Sequence, residues 1–547
     1  MRPYRGRHRW GNVTANHPAR ENRSMPEART LSGCACCAVS RRRFLASGCA
    51  TCAGAAGLLA AGRPARAADG GKKPRIRILY ALHAVVQPRP DWPNIGFDFQ
   101  PVMDRVTSVL TDRCPGLEFV TSMANGPEEA QKILEADASA DVDGYLVYQL
   151  NCWNRVVQPV AATGKPTLYA DFLYAGSGGF LVYTAGFLRQ ATPNVGFVAS
   201  SSIDDLVAAV RCFEVLGKGG SAADFAAATT RVRLERTRAP GDMACAPDPV
   251  PTLSPRECLA KMKQSRILAV GNWRAYAPAI IEEMGIDVVK VPFEEVNAAW
   301  EAADKDEARE IADRWQKTAD RVEDVSRETL EQSAAMYLAE KAVLKSHDAN
   351  AITINCLGGF YGGHIHAYPC LGFYELNNQG LIGGCECDIR SAATMVTLTA
   401  LTQGRPGFIS DPVMDTAKRQ IIYAHCVASN RVFGPEGPAN PFEILTHSED
   451  RQGAAVRSIF PLGYMTTTVE FAAERKQVLF HQGKAVENDR NDRACRTKLA
   501  AEPVGDVEKL FREWDQWGWH RVTFYGDLKE PVFALADAMG WEVLEEA

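Results

Sequence analysis

The chain has 547 residues, 46% of them hydrophobic and 23% charged, with a formal net charge of -5. At about 100–200 residues per domain, this length calls for about three domains or two large ones. The composition is that of an ordinary globular protein, and the charge lacks the basic excess expected of a nucleic-acid binder.

Residues 1–45 are rich in arginine and contain no long apolar run. Ser40-Arg41-Arg42-Arg43-Phe44-Leu45 leads into a weakly apolar stretch from Ala46 to Ala61, and Ala65-Arg66-Ala67 then offers a small-x-small site before Ala68-Asp69. A basic region, an apolar region and a small-residue cleavage site in that order have the layout of a signal peptide. The paired arginines followed by Phe-Leu resemble the twin-arginine signal. The apolar run, about 16 residues, falls short of the roughly 20 that span a bilayer. Residues 1–67 are therefore expected to be a leader, with Met25 as an alternative start. The expected partner in export is the twin-arginine translocase. The mature protein is expected to be periplasmic or otherwise exported in folded form, with no membrane attachment after processing.

Five of the 16 cysteines (Cys34, Cys36, Cys37, Cys49 and Cys52) fall in this leader. The other eleven are scattered, which argues for small buried hydrophobes and against a disulfide framework. From Pro74 onward, short apolar runs alternate with helical patterns. Ile76–Val86, Val142–Leu150, Pro166–Phe172 and Asn194–Ser200 read as strands; Pro127–Ala138 and Ile203–Leu216 read as helices. Such alternation predicts a parallel sheet covered on both faces. Ala222–Asp248 reads as a link. A second α/β region follows, with strands at Arg266–Gly271, Ile286–Val291 and Ala351–Leu357, two helices within Glu307–Ser346, and a helix over Ser391–Leu401. After Gly404 the texture turns to strands and turns, at Gln420–Ala428, Thr467–Ala472, Gln477–Phe480 and His520–Tyr525, with a closing helix at Val532–Met539. The expected architecture is two Rossmann-like parallel-sheet α/β domains, 74–245 and 246–403, followed by a β-rich C-terminal domain, 404–547.

The densest group of chemically unusual residues runs from Asn355 to Asp411. It holds Gly362-Gly363-His364-Ile365-His366, Gly383-Gly384-Cys385-Glu386-Cys387-Asp388 and Ser410-Asp411. Glycines near strand ends permit tight turns and close backbone approach. Asp388, just ahead of a helical run, reads as a helix N-cap. Glu386 stands among glycine, cysteine and apolar residues, where a carboxylate is costly unless paired or metal-bound. If Cys385 and Cys387 lay on a strand they would share one face, too few thiolates for a soft metal site.

Glu386-Cys387-Asp388, then Met395, Leu401-Thr402-Gln403-Gly404 and Phe408-Ile409-Ser410-Asp411, resemble a stretch of the L-fucose isomerase/L-arabinose isomerase family. Trp517-Gly518-Trp519-His520-Arg521-Val522, with Gly526 after it, resembles that family's C-terminal histidine segment. The likeness is specific from about residue 350 onward and only architectural before it. It implies that Glu386, Asp411 and His520 hold one divalent metal, Mn²⁺ first and Mg²⁺ second, and that Glu386 and Asp411 also serve as base and acid. It further implies interconversion of an aldose and a ketose through an ene-diolate, in a homo-oligomer with a small sugar as substrate. Two departures, a longer Gln403–Gly407 turn and Trp519 where the family often has asparagine, bear on which sugar is used.

Two carboxylates and one imidazole also suit Mn²⁺ or Mg²⁺ on donor chemistry. His364 and His366, expected two apart on one strand face, are candidates to line the pocket with Trp519. His481, expected at a hairpin, and Trp153 are further candidates to touch substrate, and Tyr174 and His83 are weaker ones. His425 and His447 read as structural. The competing readings are a metal-dependent lyase or epimerase on the same scaffold, and a non-catalytic exported sugar-binding protein.

Overall fold

A computed structural model describes residues 73–547; the expected leader lies outside the described residues. The first five strands are β1 (Arg75–Ala81), β2 (Glu118–Ala124), β3 (Gly144–Gln149), β4 (Thr167–Asp171) and β5 (Val195–Val198). They form a parallel sheet in the order β2-β1-β3-β4-β5. Side chains alternate across it with the two-residue period of a strand. Ile76, Ile78 and Tyr80 share a core with Met103, Val106 and Leu110 of the helix Gln100–Arg113 and with Leu206 and Val210 of the helix Ile203–Arg211. Leu79 and Ala81 belong to the opposite face, whose core includes Val157 and Val160 of the helix Val157–Ala162 and Phe180 of the helix Ser177–Arg189. Coverage of both faces explains why β3 and β4 are buried at every position.

The next strands are β6 (Arg266–Val270), β7 (Asp287–Val291), the short β8 (Arg321–Glu323), β9 (Ala351–Ile354) and β10 (Ile382–Gly384). All but β8 make a second parallel sheet, ordered β10-β9-β6-β7. The charged stretch read as two helices is Lys305–Thr318 and Arg327–Ser346, each started by a capping side chain, Asp304 and Ser326.

The strand-rich remainder comprises β11 (Phe408–Asp415), β12 (Gln420–His425), β13 (Phe442–Leu445), β14 (Ala455–Ser458), β15 (Met465–Ala472), β16 (Gln477–Asn488), β17 (Thr497–Pro503), β18 (Arg521–Tyr525) and β19 (Glu542–Glu545). Their main sheet runs β15-β18-β11-β12-β17-β16-β19, and β15 also pairs with β16. Six antiparallel strands therefore close into a barrel, with β19 added in parallel outside it. Closure removes the exposed edges that an open sheet would present. β13 and β14 form a small separate sheet with β8, which pairs in parallel with β13. The chain thus has the expected fold class: parallel-sheet α/β regions followed by a strand-rich C-terminal region.

Several local expectations are corrected. Ala222–Asp248 is not a link throughout: Ala222–Arg236 is a helix, opened by a reciprocal capping box between Ser221 and Asp224. Cys385-Glu386-Cys387 is a turn after β10, not a strand. His364 and His366 lie in the turn between two helices and share no strand face. His481 sits within β16, not at a hairpin. The helix Ser177–Arg189 went unread because it opens Ser-Gly-Gly, a poor helix former; burial of Phe180, Leu181 and Ala185 overrides that preference.

Glu340, in the helix Arg327–Ser346, is wholly buried and neither of its carboxyl oxygens has a hydrogen-bond partner. It fits only because residue 372 is glycine: a Cβ there would lie 2.0 Å from Oε2 of Glu340. Burial pushes this carboxyl well above its ordinary range. A carboxyl raised in the folded state contributes its full stability below its unfolded pKa and loses it as pH rises toward the folded value. Glu340→Gln, which keeps the shape without the titration, should therefore gain thermal stability relative to the parent as pH rises from 5 to 8. Melting curves that stay parallel across that range would show that Glu340 does not titrate as described.

Candidate metal centre

Four side chains meet where the turn after β10 faces the barrel. Glu386 comes from that turn, Asp411 from β11, His425 from the end of β12, and His520 from the residue ahead of β18. One ligand-type atom from each lies within 4.8 Å of the others, and three of the four residues are buried.

Glu386 is aimed inward by an unusual backbone. Glu386 and Cys387 both adopt positive φ, 59° and 49°. Left-handed backbone at a residue bearing a side chain costs about 1–2 kcal/mol, and such strain gathers at functional sites. The turn is held by the Cys387 N–H, which donates to the Ile354 carbonyl (2.9 Å), and by the Glu386 N–H, which donates to Sγ of Cys356 (3.4 Å). Asp411 is fixed by barrel register, opposite Ala424 of β12, and its Oδ1 accepts the indole N–H of Trp519.

The two histidines differ in tautomer. Nδ1 of His520 lies 2.9 Å from Oδ2 of Asp388. A carboxylate only accepts, so Nδ1 carries a proton, and in the neutral ring the lone pair sits on Nε2. That Nε2 is buried without a hydrogen-bond partner, 3.1 Å from Oδ1 of Asp411 and 3.7 Å from Oε2 of Glu386. In His425 the backbone N–H of Cys426 donates to Nδ1 at 3.0 Å. The neutral ring must then carry its proton on Nε2, which is also buried without a partner, 3.8 Å from Oε1 of Glu386. His520 is thus set up as a lone-pair ligand and His425 as an N–H donor over the same space.

Asp388 is the hub behind the site. As expected, it caps the helix Ile389–Leu401, accepting from the N–H groups of Arg390 and Ser391 (3.1 and 3.2 Å). It also accepts from the Tyr276 hydroxyl (3.1 Å) and from His520. Burial alone would raise its carboxyl, but the His520 hydrogen bond and charge outweigh that and hold it below the carboxylate range. Asp411 is likewise held low, burial being outweighed by His520. Glu386 goes the other way: burial raises it, only partly offset by His520. The three acids override burial and raise His520 well above an ordinary imidazole, so a cation would take its Nε2 lone pair by displacing a proton.

The Nε2 of His520, buried without a hydrogen-bond partner, and two converging carboxylates fit a divalent cation. Glu386, Asp411 and His520 supply lone pairs, and Asp388 orients the ring of His520 from behind, as an outer partner of a metal-binding histidine does. The sequence missed the nearness of His425 and the second role of Asp388.

Of the candidate sugar contacts, Trp519 and Trp153 are brought together at the centre. Trp519 bonds Asp411, and its ring meets the ring of Trp153 edge-on at 5.3 Å, with Trp153 46% exposed. His481 is buried, with its nitrogens bonded to the Tyr423 hydroxyl (2.6 Å) and to Glu546 (3.1 Å), so both are engaged in the barrel interior. His364 stacks on Phe293, and His366 packs beside Trp300 near Glu301; neither joins the four-residue group. His83 lies between Asn125 and Asp91, and Tyr174 bonds Asp489. His447 is buried in an aromatic group with Phe360 and Tyr368 and bonds Asp450 (3.2 Å).

No family model matches the chain. A sulfoquinovose isomerase from Clostridium sp. (strain MSTE9) is 26% identical over 217 residues, 38% of this chain and 46% of that protein. Sulfoquinovose isomerases from Priestia aryabhattai and Priestia megaterium (strain ATCC 12872 / QMB1551) are each 24% identical over 222 residues, 39% of this chain and 48% of theirs. The chain spans about half the length of the curated relatives it matches. Among solved structures, a complex of the transcriptional regulator CelR with cellobiose aligns with 51% of this chain at 13% identity, with a TM-score of 0.15, too loose a likeness to argue from.

The tautomers separate the two histidines by experiment. His520→Ala should lose the bound cation, and His425→Ala should retain it, when metal content is measured on purified protein. Asp388→Asn should weaken metal affinity by about 10–100-fold through the released ring. Equal loss from His425→Ala and His520→Ala would make both rings ligands and refute the assignment.

Proposed function

We propose that this protein is a metal-dependent aldose–ketose isomerase. The observation that carries the reading is the free Nε2 of His520, buried beside the carboxylates of Asp411 and Glu386. The sulfoquinovose isomerases with which the chain shares up to 26% identity support a sugar as substrate. Sulfoquinovose is therefore the first sugar to try, ahead of fucose- and arabinose-type sugars.

Converting an aldose to a ketose requires a proton to leave C2 and return at C1, while the hydroxyl proton passes from O2 to O1. A divalent cation held by Glu386, Asp411 and His520, Mn²⁺ before Mg²⁺, would polarise the carbonyl and stabilise the ene-diolate charge. Glu386, whose carboxyl burial raises, is suited to accept and return the carbon proton near neutral pH. Asp411, kept ionised by His520 and Trp519, is suited to manage the hydroxyl proton on the other side. His425 directs its Nε2 proton toward Glu386 and can hydrogen-bond a developing oxyanion. Trp153 and Trp519 offer an apolar wall for the sugar's carbon face. The leader motif supports export through the twin-arginine route, and assembly into a homo-oligomer belongs to the same proposal.

The test is proton NMR in D₂O of the Mn²⁺-loaded protein with sulfoquinovose, L-fucose and L-arabinose. The expected result is ketose formation with deuterium entering the product. Glu386→Gln should cut turnover by about 10²–10⁴-fold, the range of a general base. Exchange without a ketose would favour an epimerase, and binding without exchange would reduce the protein to a sugar carrier.

A further inference from the structure

A second cavity lies apart from the metal centre, at the carboxyl ends of β3, β4 and β5, with a volume of about 600 Å³. Strand carboxyl ends are where an open parallel sheet places its ligands, and this volume lies within the range of small-molecule sites. The β11 residue lining it is Asp415, four positions beyond Asp411 and so about 13 Å farther along the strand. The two sites are therefore separate.

Two features of its wall call for a ligand. Asp171, the last residue of β4, is only 5% exposed, and only one of its carboxyl oxygens is used. Oδ2 accepts from the Ser177 hydroxyl (2.6 Å), while Oδ1 is buried with no partner. Arg493 lies over the Phe172 ring, 4.1 Å from its centroid, and its Nε donates to Oδ1 of Asn491. It forms no ion pair among the described residues, although burial depresses its basicity. Arg105, across the cavity, also lacks an ion pair among the described residues.

The other ionisable groups of this wall already have partners. Lys418 is paired with Glu487 (2.9 Å). Asp415 accepts from the N–H groups of Ser201 and Ala417 (3.0 and 3.2 Å), and Asp489 from the Tyr174 hydroxyl and the Asn491 N–H. What remains is one acceptor on Asp171 without a hydrogen-bond partner and two guanidinium groups without an ion pair among the described residues, Arg493 feeling the charges of Asp171 and Asp489 nearby, beside the aromatic rings of Tyr148 and Phe172. We propose that this cavity binds a small polyhydroxylated acid, a sugar acid or sugar phosphate, with its anionic group on Arg493 and Arg105 and a hydroxyl on Asp171. Arginine suits the anion through its planar paired donors, and the rings suit the carbon face of a sugar.

The experiment is calorimetric titration of the full metal-loaded protein with D-glucuronate, D-glucose 6-phosphate, D-glucose and inorganic phosphate. Either acidic sugar should bind more tightly than glucose or phosphate, and the tighter of the two identifies the class of anion. Arg493→Gln should weaken that binding by about tenfold or more. Arg105→Ala, on an exposed helix surface, should weaken it without disturbing the fold. Both variants should keep their metal content and turnover, whereas Glu386→Gln should leave the titration unchanged. Binding that survives Arg493→Gln, binding lost in Glu386→Gln, phosphate binding as tightly as the acidic sugars, or no binding of either acidic sugar would each overturn the proposal. None of these outcomes bears on isomerase activity, so the two readings stand or fall separately.

Discussion

The hydrogen bond from His520 to Asp388 decides what the centre can be. By fixing the proton on Nδ1, it leaves a lone pair on Nε2 facing Asp411 and Glu386. Asp388 can accept that bond because it is also a helix cap, tied to the backbone of Arg390 and Ser391. A residue that starts a helix thereby sets the tautomer of a side chain more than a hundred positions away. The fold and the chemistry are joined at this one carboxylate, which its His520 hydrogen bond and charge keep ionised despite burial.

The remaining groups are arranged by contrast. The same pocket depresses Asp411, which His520 and Trp519 both serve, and raises Glu386, whose burial His520 only partly offsets. Two carboxylates pushed in opposite directions are the usual means by which one site provides a base and an acid. His425 adds an N–H where His520 adds a lone pair, so two residues of the same type supply opposite halves of a hydrogen-bonding repertoire.

Much of this was legible in the sequence. Alternating strand and helix patterns give the parallel sheets, and the change of texture after Gly404 gives the barrel strands. Glu386, Asp411 and His520 could be named from the resemblance of their segments to an isomerase family, and the structure brings the three together. His425 could not be singled out by its own surroundings, since a histidine ending an apolar strand looks like any other. Its signal was the hairpin: β11 and β12 fold about the turn at 416–419, which sets Asp411 opposite Ala424 and His425 just past it. The positive φ of Glu386 and Cys387 was hidden because neither residue is glycine, and reading that segment as a strand sent its side chains the wrong way. His364 and His366 misled for a similar reason: an alternating pair mimics a strand face even when glycines on one side make a turn.

The small sheet of β8, β13 and β14 has a consequence for synthesis. β8 is three residues long, flanked by helices of the second α/β region, yet its strand partner is β13, made only after Phe442. Until that later segment has emerged, β8 has no neighbour to pair with, and His520 arrives later still. Pairings so distant in the chain are slow to form and expose unfinished surface meanwhile. A nascent chain can therefore assemble its first sheet early, but the pocket at Glu386 can acquire its full set of donors only once His520 has been made.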